Sequence, residues 1–187
     1  MISAFLKFLR GHRGRDLSLH SAGLVLLTAV ILSAAGCYET DVEVINASSA
    51  VAVYNAPGNY TFDAGGSLTI SAVPDSNDYR FREVSKENKV STGYLRVVPL
   101  RGDIYIVQAK YDNESVYYLA FYQFTSDRRF KPLDSEIDEQ RLGQLAQQYG
   151  VKIEWDPFFV ADHLSGSSSN ILAFLRAHAS LPFSPAK

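Results

Sequence analysis

The chain has 187 residues, of which 47% are hydrophobic and 20% charged, which excludes an intrinsically disordered protein and suits one domain preceded by a leader. Its 18 Lys and Arg against 20 Asp and Glu give a net charge of −2, without the basic excess typical of nucleic-acid-binding proteins. Cys37 is the only cysteine, so no disulfide can form within the chain and the domain must rely on its hydrophobic core.

The N-terminal segment has the composition of a secretory signal. Residues 1–20 carry four basic residues and one acid, residues 22–36 carry no charge, and Cys37 follows directly. The uncharged run has 15 residues, fewer than the roughly 20 that a membrane-spanning helix needs. The pattern therefore predicts a signal segment over 1–36 rather than a permanent membrane span.

Small residues stand directly before the cysteine: Ala34, Ala35 and Gly36. They resemble the lipobox of bacterial lipoproteins, with alanine at position 34 where leucine is usual. The resemblance implies cleavage after Gly36, diacylglycerol on the Cys37 thiol, and an acyl chain such as palmitate on the new amino terminus. Because Tyr38 rather than aspartate follows, it also implies delivery to the periplasmic face of the outer membrane in a Gram-negative cell. The alternative is a plain signal peptide or an uncleaved anchor in which Cys37 has no role.

The remainder of the chain is more acidic than the whole. Without residues 1–36, Lys plus Arg falls from 18 to 14 and Asp plus Glu from 20 to 19, which leaves a net charge near −5. This balance argues against binding to nucleic acid and against electrostatic attachment to anionic lipid. Residues 37–59 contain the turn-rich stretches NASSA and NAPGN, and we expect them to form the lipidated N-terminus and a tether.

Residues 60–181 are expected to form an α+β globular domain, and 182–187 a tail. The first half of this domain alternates apolar and polar residues, which is typical of half-buried antiparallel strands. Short polar connections separate the segments, so the sequence predicts an antiparallel β-meander of about six to seven strands. The clearest alternating segments are SLTISAV at 67–73, DYRFREV at 78–84 and DIYIVQA at 103–109.

One segment breaks the alternation. Residues 116–124, VYYLAFYQF, are apolar or aromatic at almost every position. Either the segment is a central strand covered on both faces, or one face with Tyr118 and Tyr122 lines a groove. A tyrosine offers an apolar ring to a ligand and keeps a polar tip, so Tyr118 and Tyr122 are the candidate binding surface.

Two helices are predicted in the second half, and we expect them to pack on the sheet. Ser135 and Asp138 have the spacing of a capping box, and Gly150 ends the first helix. The second helix is predicted over Asn170–Ala179, after the cap-forming stretch SGSSSN. Between the helices, Val151–Trp155 alternates like a strand. The apolar stripes are Leu142, Leu145, Ala146 and Tyr149 on the first helix, and Ile171, Phe174 and Leu175 on the second.

Residue types suited to catalysis are few. His163 follows Asp162 and lies near several serines, but all of them fall on one short segment that is better explained as a turn and a helix cap. His178 continues the apolar stripe of the second helix, which favours a packed ring over a catalytic base. Glu154 and Asp156 flank Trp155 and have the residue types of a glycosidase pair, yet on a strand they are usually a solvated face.

These observations predict a membrane-anchored envelope lipoprotein with a non-catalytic binding or structural domain. Its expected partners are the membrane, through the lipid on Cys37, and an envelope protein or glycan. One alternative is a module that binds a small apolar or sugar ligand. Another is a carboxylate-dependent hydrolase that uses Glu154 and Asp156, or His163. No catalytic residue, metal site, cofactor or nucleic-acid partner is expected.

Overall fold

A computed structural model describes residues 38–54, 56–61, 65–124, 130–135, 137–155 and 161–185. The predicted signal segment and the predicted lipidation and cleavage residues, Gly36 and Cys37, lie outside these ranges and stay predictions. The elements are β1 (Tyr38–Thr40), β2 (Gly58–Thr61), β3 (Gly66–Ala72), β4 (Tyr79–Ser85), β5 (Val90–Arg101), β6 (Ile104–Tyr111), β7 (Tyr117–Phe124), β8 (Phe130–Ser135), α1 (Glu139–Gln148), β9 (Lys152–Glu154), β10 (Asp162–Ser165), α2 (Ser168–His178) and β11 (Phe183–Pro185).

The predicted meander is confirmed. From β2 to β8, each strand pairs antiparallel with the next one in the chain, and two helices accompany the sheet in an α+β fold. The short connections explain this simple order, because only a few residues separate each strand from the next one in the chain. Between β5 and β6 the turn uses Gly102 at a φ of 55°, a left-handed conformation that glycine adopts without steric cost.

The prediction that residues 37–59 form a tether is wrong for those of them that the structure describes. β1 lies inside the sheet, antiparallel to β7 on one side and parallel to β10 on the other. The backbone N–H groups of Val44 and Ile45 both donate to Gln108 Oε1 at 2.8 Å, which ties this segment to β6. A turn does form at Asn46, whose side chain accepts a hydrogen bond from the Ser49 N–H. The segment nevertheless belongs to the domain, because it contributes buried residues to the core: Val44, Ile45, Ala50, Val53 and Ala56.

The sheet extends beyond the meander at two further places. β9 pairs with β10 and so continues the sheet past β1. β11 pairs antiparallel with β8, so residues 183–185 are not the tail that the two prolines predicted. Pro185 is compatible with a strand at this position because a strand at the sheet edge need not donate from every backbone nitrogen.

Both predicted helices are present, but their first residues differ from the predicted ones. α1 is capped by Asp138, whose carboxylate accepts from the Arg141 N–H at 2.9 Å, whereas Ser135 is the last residue of β8 and not part of a capping box. α2 starts two residues earlier than predicted, at Ser168, because Ser167 caps it. Neither helix of the described chain is long and apolar enough to cross a membrane.

The sheet has two apolar faces, which we call the helix face and the aromatic face. On the helix face, α1 and α2 pack on β1, β6, β7 and β10, with Leu142, Ala146, Ile171, Phe174 and Leu175 against Tyr38, Ile106, Leu119, Phe121 and Leu164. The aromatic face joins residues of β3 to β7, including Leu68, Ile70, Tyr79, Phe81, Leu95, Val107, Tyr111, Tyr122 and Phe124. Each large apolar side chain buried in this way stabilises the fold by about 2 kcal/mol.

Candidate functional site

The aromatic strand β7 is covered on both faces over most of its length. Leu119 and Phe121 point to the helix face, whereas Ala120 and Tyr122 point to the aromatic face. Tyr122 is 2% exposed, so its ring belongs to the core and the expectation that it lines an open surface is corrected. Tyr118 is only partly buried, since it lies at the margin of the aromatic face. Of the two predicted residues, Tyr118 alone retains accessible surface.

Tyr118 begins a row of polar side chains that crosses the sheet. It pairs with Glu39 on β1, Glu39 pairs with His163 on β10, and His163 pairs with Glu154 on β9. Because directly paired residues point to the same face of a sheet, these four side chains share the face opposite α1 and α2. We call Tyr118, Glu39, His163 and Glu154 the polar row.

His163 lies between two carboxylates. Its Nδ1 is 3.4 Å from Glu39 Oε1, and its Nε2 is 3.6 Å from Asp41 Oδ2. The expectation of a loop residue is wrong, because His163 is in the middle of β10. Among the nearby serines, Ser167 caps α2. Both ring nitrogens of His163 therefore face carboxylates, which is not the arrangement of a hydrolase triad.

Of the acidic pair suggested for hydrolysis, Glu154 and Asp156, the structure describes only Glu154. Glu154 is exposed, and its carboxylate lies 2.7 Å from the Lys152 Nζ. This contact holds the pKa of Glu154 below its usual value. Asp156 lies outside the described residues. Glu154 therefore has the surroundings of a solvated surface residue.

A second group of polar residues is buried beside the aromatic core. Glu83 on β4 is 3% exposed, and the Tyr111 hydroxyl donates to its Oε2 at 3.0 Å. Burial raises the pKa of Glu83 to about 7, although the hydrogen bond from Tyr111 acts in the opposite direction. Glu83 is thus a carboxyl group that changes charge close to neutral pH.

Tyr111 connects Glu83 to the polar row. The Tyr111 and Tyr118 rings meet edge to face, with centroids 5.7 Å apart. Burial raises the pKa of Tyr118 most, followed by a side-chain hydrogen bond with Glu114 and by the negative charges of Glu114 and Glu39. The pKa of Tyr111 is also raised by burial first, with contributions from Glu83 and Glu114. We call Glu83, Tyr111, Glu114 and Tyr118 the carboxylate–tyrosine cluster.

Two oxygen atoms of this cluster are buried without a hydrogen-bond partner among the described residues: Glu83 Oε1 and Glu114 Oε2. Native proteins rarely leave such atoms unsatisfied, since each costs on the order of 1–3 kcal/mol. Both of these oxygen atoms belong to the carboxylate–tyrosine cluster. A ligand with hydrogen-bond donors would relieve this cost.

No group of three or more His, Cys, Asp or Glu side chains within the described ranges has the arrangement of a metal site. The carboxylate–tyrosine cluster supplies two carboxylates, and the polar row supplies the more exposed Glu39, His163 and Glu154. Neither set converges on one point with three ligands. The chemistry available to the cluster is therefore recognition of donors or of positive charge.

The histidine predicted to pack on the second helix does so. His178 is 1% exposed, its Nδ1 is hydrogen-bonded to the Tyr38 hydroxyl at 3.2 Å, and its ring stacks on Phe174. Burial lowers its pKa to about 4, so the ring is neutral at neutral pH. His178 joins α2 to β1 and lies on the helix face, away from the carboxylate–tyrosine cluster.

The sequence contains a signal for Glu83 that pattern analysis overlooked. In DYRFREV, Tyr79 and Phe81 are the core-facing residues, and Glu83 occupies the next position of the same alternation. A carboxylate at a core-facing strand position is rarely tolerated without a partner or a function. The Tyr111 partner comes from β6, 28 residues later, and could not be identified from the spacing alone.

Comparison of the chain with protein-family models, with curated proteins and with solved structures gives no match in any of the three.

Proposed function

We propose that this chain is a lipid-anchored protein of the bacterial cell envelope with a non-catalytic binding domain. The observation that carries the proposal is the order of residues at the N-terminus: a basic segment, a charge-free run, the small residues 34–36, and Cys37. Several acyl chains give a durable anchor because each buried methylene contributes about 0.8 kcal/mol. In a Gram-negative cell the proposed location is the periplasmic face of the outer membrane.

The position of β1 supports a particular form of this anchor. Tyr38, the residue after Cys37, is 2% exposed and pairs with Leu119 and Asp162 on its two sides. A lipid on Cys37 would therefore be attached to the sheet without a flexible spacer. The domain would be held next to the bilayer, where an envelope protein or glycan is within reach of its surface.

The anchor is tested by the intact mass of the protein extracted from native membranes. We expect the loss of residues 1–36 and the addition of acyl mass, and we expect Cys37→Ser to abolish both changes. Ser33→Ala is the matched control, because it alters the same segment and keeps the thiol. A wild-type mass that includes Met1–Gly36 without acyl groups would refute the proposal, and the uncharged run would then be a signal anchor.

A second candidate function, binding of a small ligand, is favoured by the carboxylate–tyrosine cluster. Two of its buried oxygen atoms have no hydrogen-bond partner among the described residues. A carboxylate-dependent hydrolase has no comparable support, because Glu154 is exposed and paired with Lys152. The domain is accordingly proposed to bind without catalysis.

A further inference from the structure

We infer that the sheet carries a binding face for an acidic glycan, a chain of sugar residues that bear carboxylates. The face lies on β3, β4 and β5, on the same side of the sheet as α1 and α2 but beyond the strands that the helices cover. We call it the open face. The inference rests on the envelope location in the proposed function and names the chemical class of the partner.

The helices leave the open face accessible. The buried core beneath α1 and α2 takes its residues from β1, β5 to β8 and β10, and the described residues of β2, β3 and β4 contribute none to it. On β3 and β4 the residues that alternate with the aromatic core, such as Thr69, Arg80 and Arg82, keep accessible surface. A partner can therefore contact these side chains directly.

An exposed arginine lies between two hydrogen-bonded pairs on the open face. Strand pairing aligns Asn59, Thr69, Arg82 and Thr92 across the sheet, and directly paired residues point to the same face. Thr69 donates to Asn59 Oδ1 at 2.9 Å, and Thr92 donates to Asp112 Oδ2 at 2.6 Å. The Arg82 side chain makes no hydrogen bond or ion pair with any residue that the structure describes. Its planar guanidinium, with five N–H donors, is thus available to a carboxylate.

An exposed tyrosine ring lies beside this arginine. Tyr94 is 45% exposed, and it lies two positions after Thr92 on β5, so it shares the open face. The guanidinium carbon of Arg80 is 4.1 Å from the centre of the Tyr94 ring, and the same guanidinium donates to both oxygens of Asp112 at 3.0 and 2.8 Å. These contacts orient the ring and leave nearly half of the residue accessible. The apolar C–H face of a sugar ring packs well on such a surface.

The open face has unpaired positive charge in a domain that is acidic. Without residues 1–36 the chain has a net charge near −5. Among the described residues no carboxylate pairs with Arg82 or with Lys110, whose Nζ donates to the backbone carbonyl of Glu114. The other charged groups at this face are paired with each other: Arg80 with Asp112, and Arg96 with Asp78 and Glu43. The two remaining cations favour an anionic partner.

A peptide or a lipid surface fits the open face less well than a glycan. β3, β4 and β5 are each paired with a strand on both sides, so a peptide could not add to them as a further strand. β4 is four strands away from β1 in the sheet, which is about 19 Å at the usual spacing between strands. In the proposed anchored form, the headgroups around the lipid on Cys37 therefore lie far from Arg82.

The sugar and the charge have separate roles at this face. A neutral glycan would pack on Tyr94 and leave the Arg82 guanidinium without an acceptor. A small anion would pair with Arg82 and leave the tyrosine ring unused. Nucleic acid would bring one negative charge per phosphate to a domain that is itself acidic. A glycan with carboxylates uses both side chains at moderate charge density.

The test is a calorimetric titration of the full chain, purified in a non-ionic detergent at low salt, with tetragalacturonate. Its methyl ester is the matched ligand, because it has the same sugar chain without the charges. We expect tetragalacturonate to bind, the ester to bind about tenfold more weakly, and Arg82→Gln to weaken tetragalacturonate binding about tenfold. Arg176→Gln is the matched control, because it removes one exposed arginine from α2, away from the open face.

A second variant tests the contribution of the sugar ring. Tyr94→Ala should weaken the binding of both tetragalacturonate and its ester, because the ring contacts the sugar and not its charge. Tetraglutamate, a peptide with a similar number of carboxylates, should bind about tenfold more weakly than tetragalacturonate to the wild type.

Several results would overturn the inference. Equal binding of the ester would mean a sugar site without charge selection, and equal binding of tetraglutamate would mean a surface for acidic peptides. Equally tight binding of glycerol 3-phosphate would mean a site for lipid headgroups or free phosphate esters. Absence of tetragalacturonate binding to wild-type protein that unfolds cooperatively would eliminate the glycan face. These outcomes do not depend on the intact mass, so failure of the anchor and failure of the open face are distinguishable.

Discussion

Replacing Glu83 with glutamine should change the free energy of unfolding, relative to wild type, in a more favourable direction at pH 8 than at pH 4. Glutamine has the shape of the carboxyl group and keeps an oxygen that can accept from Tyr111, but it has no proton to lose. In the wild type, the pKa of Glu83 is about 7 in the folded state, against an ordinary value of 4.5. The folded protein therefore retains a proton that the unfolded chain releases between these pH values.

The sign follows from proton linkage. Because the folded-state pKa is raised, the contribution of Glu83 to stability is fully present below pH 4.5 and is lost as the pH rises through 7. The difference between the folded-state and ordinary pKa of Glu83 corresponds to about 3 kcal/mol in the free energy of unfolding. The free energy of unfolding of Glu83→Gln, minus that of wild type, should therefore increase by about 3 kcal/mol between pH 4 and pH 8.

His178 has the opposite dependence and explains why the comparison must be made against wild type. Its folded-state pKa is about 4, below its ordinary value of 6.5, so its contribution is present above pH 6.5 and is lost as the pH falls through 4. Between pH 4.5 and 6.5 the two effects nearly cancel in the wild type. Glu83→Gln removes one of them and leaves stability rising with pH over this range.

The assay is urea denaturation of the full chain at five pH values from 4 to 8, followed by the circular dichroism of the strands. Glu87→Gln, exposed in the turn after β4, controls for the loss of one carboxylate. Its free energy of unfolding should run parallel to that of wild type at the pH values above 4.5, because the pKa of Glu87 is lowered in the folded protein and its own effect is confined to more acid pH. Parallel curves for Glu83→Gln and wild type would show that Glu83 is solvated and ionised in the folded protein, and the argument from its burial would be refuted.

Two further substitutions test contacts that the fold depends on. Gln108→Leu should lower the free energy of unfolding by about 2–4 kcal/mol, because the Val44 and Ile45 N–H groups would lose their shared acceptor and the Ile45 carbonyl would lose its donor. Equal unfolding of Gln108→Leu and wild type in urea would contradict this role. Gly93→Ala should cost about 3 kcal/mol or more, because a β-carbon there would lie 2.2 Å from the Lys110 carbonyl oxygen and 2.6 Å from the Phe81 ring. Gly143→Ala is its control, since a β-carbon at position 143 meets no atom within 4 Å; the prediction fails if both variants melt at the wild-type temperature.

The parts of the fold that sequence could predict are those specified by local periodicity. Alternation in β3, β4 and β6, and the stripe on α2, each repeat over two or more turns or pleats, so the pattern identifies the buried face without knowledge of the partner. The three-residue strands β1, β9 and β11 are too short to show a period by themselves. Their conformation depends on pairing with distant strands, as Tyr38 pairs with Leu119 and Asp162.

The candidate site is harder to predict from the sequence for the same reason: its contacts depend on strands that are distant in the chain. The aromatic run indicates Tyr118 and Tyr122 equally, because both lie on the same face of β7 and the sequence does not reveal which end of that face stays partly open. Glu83 lies on β4, Glu114 lies between β6 and β7, and the Tyr111 hydroxyl that donates to Glu83 comes from β6. A site assembled from side chains on different strands leaves no spacing that a single sequence could show.

The position of β1 links the proposed anchor to the proposed ligand site. Tyr38 points to the helix face and contacts His178, whereas the next residue, Glu39, points to the polar row beside Tyr118. Pulling β1 out of the sheet would expose the Tyr38 ring and break its pairing with β7 and β10 together. The anchored form therefore cannot move its lipid away from the domain without unfolding part of the sheet. In the proposed anchored form the polar row lies near the membrane surface, because Glu39 is two residues from Cys37.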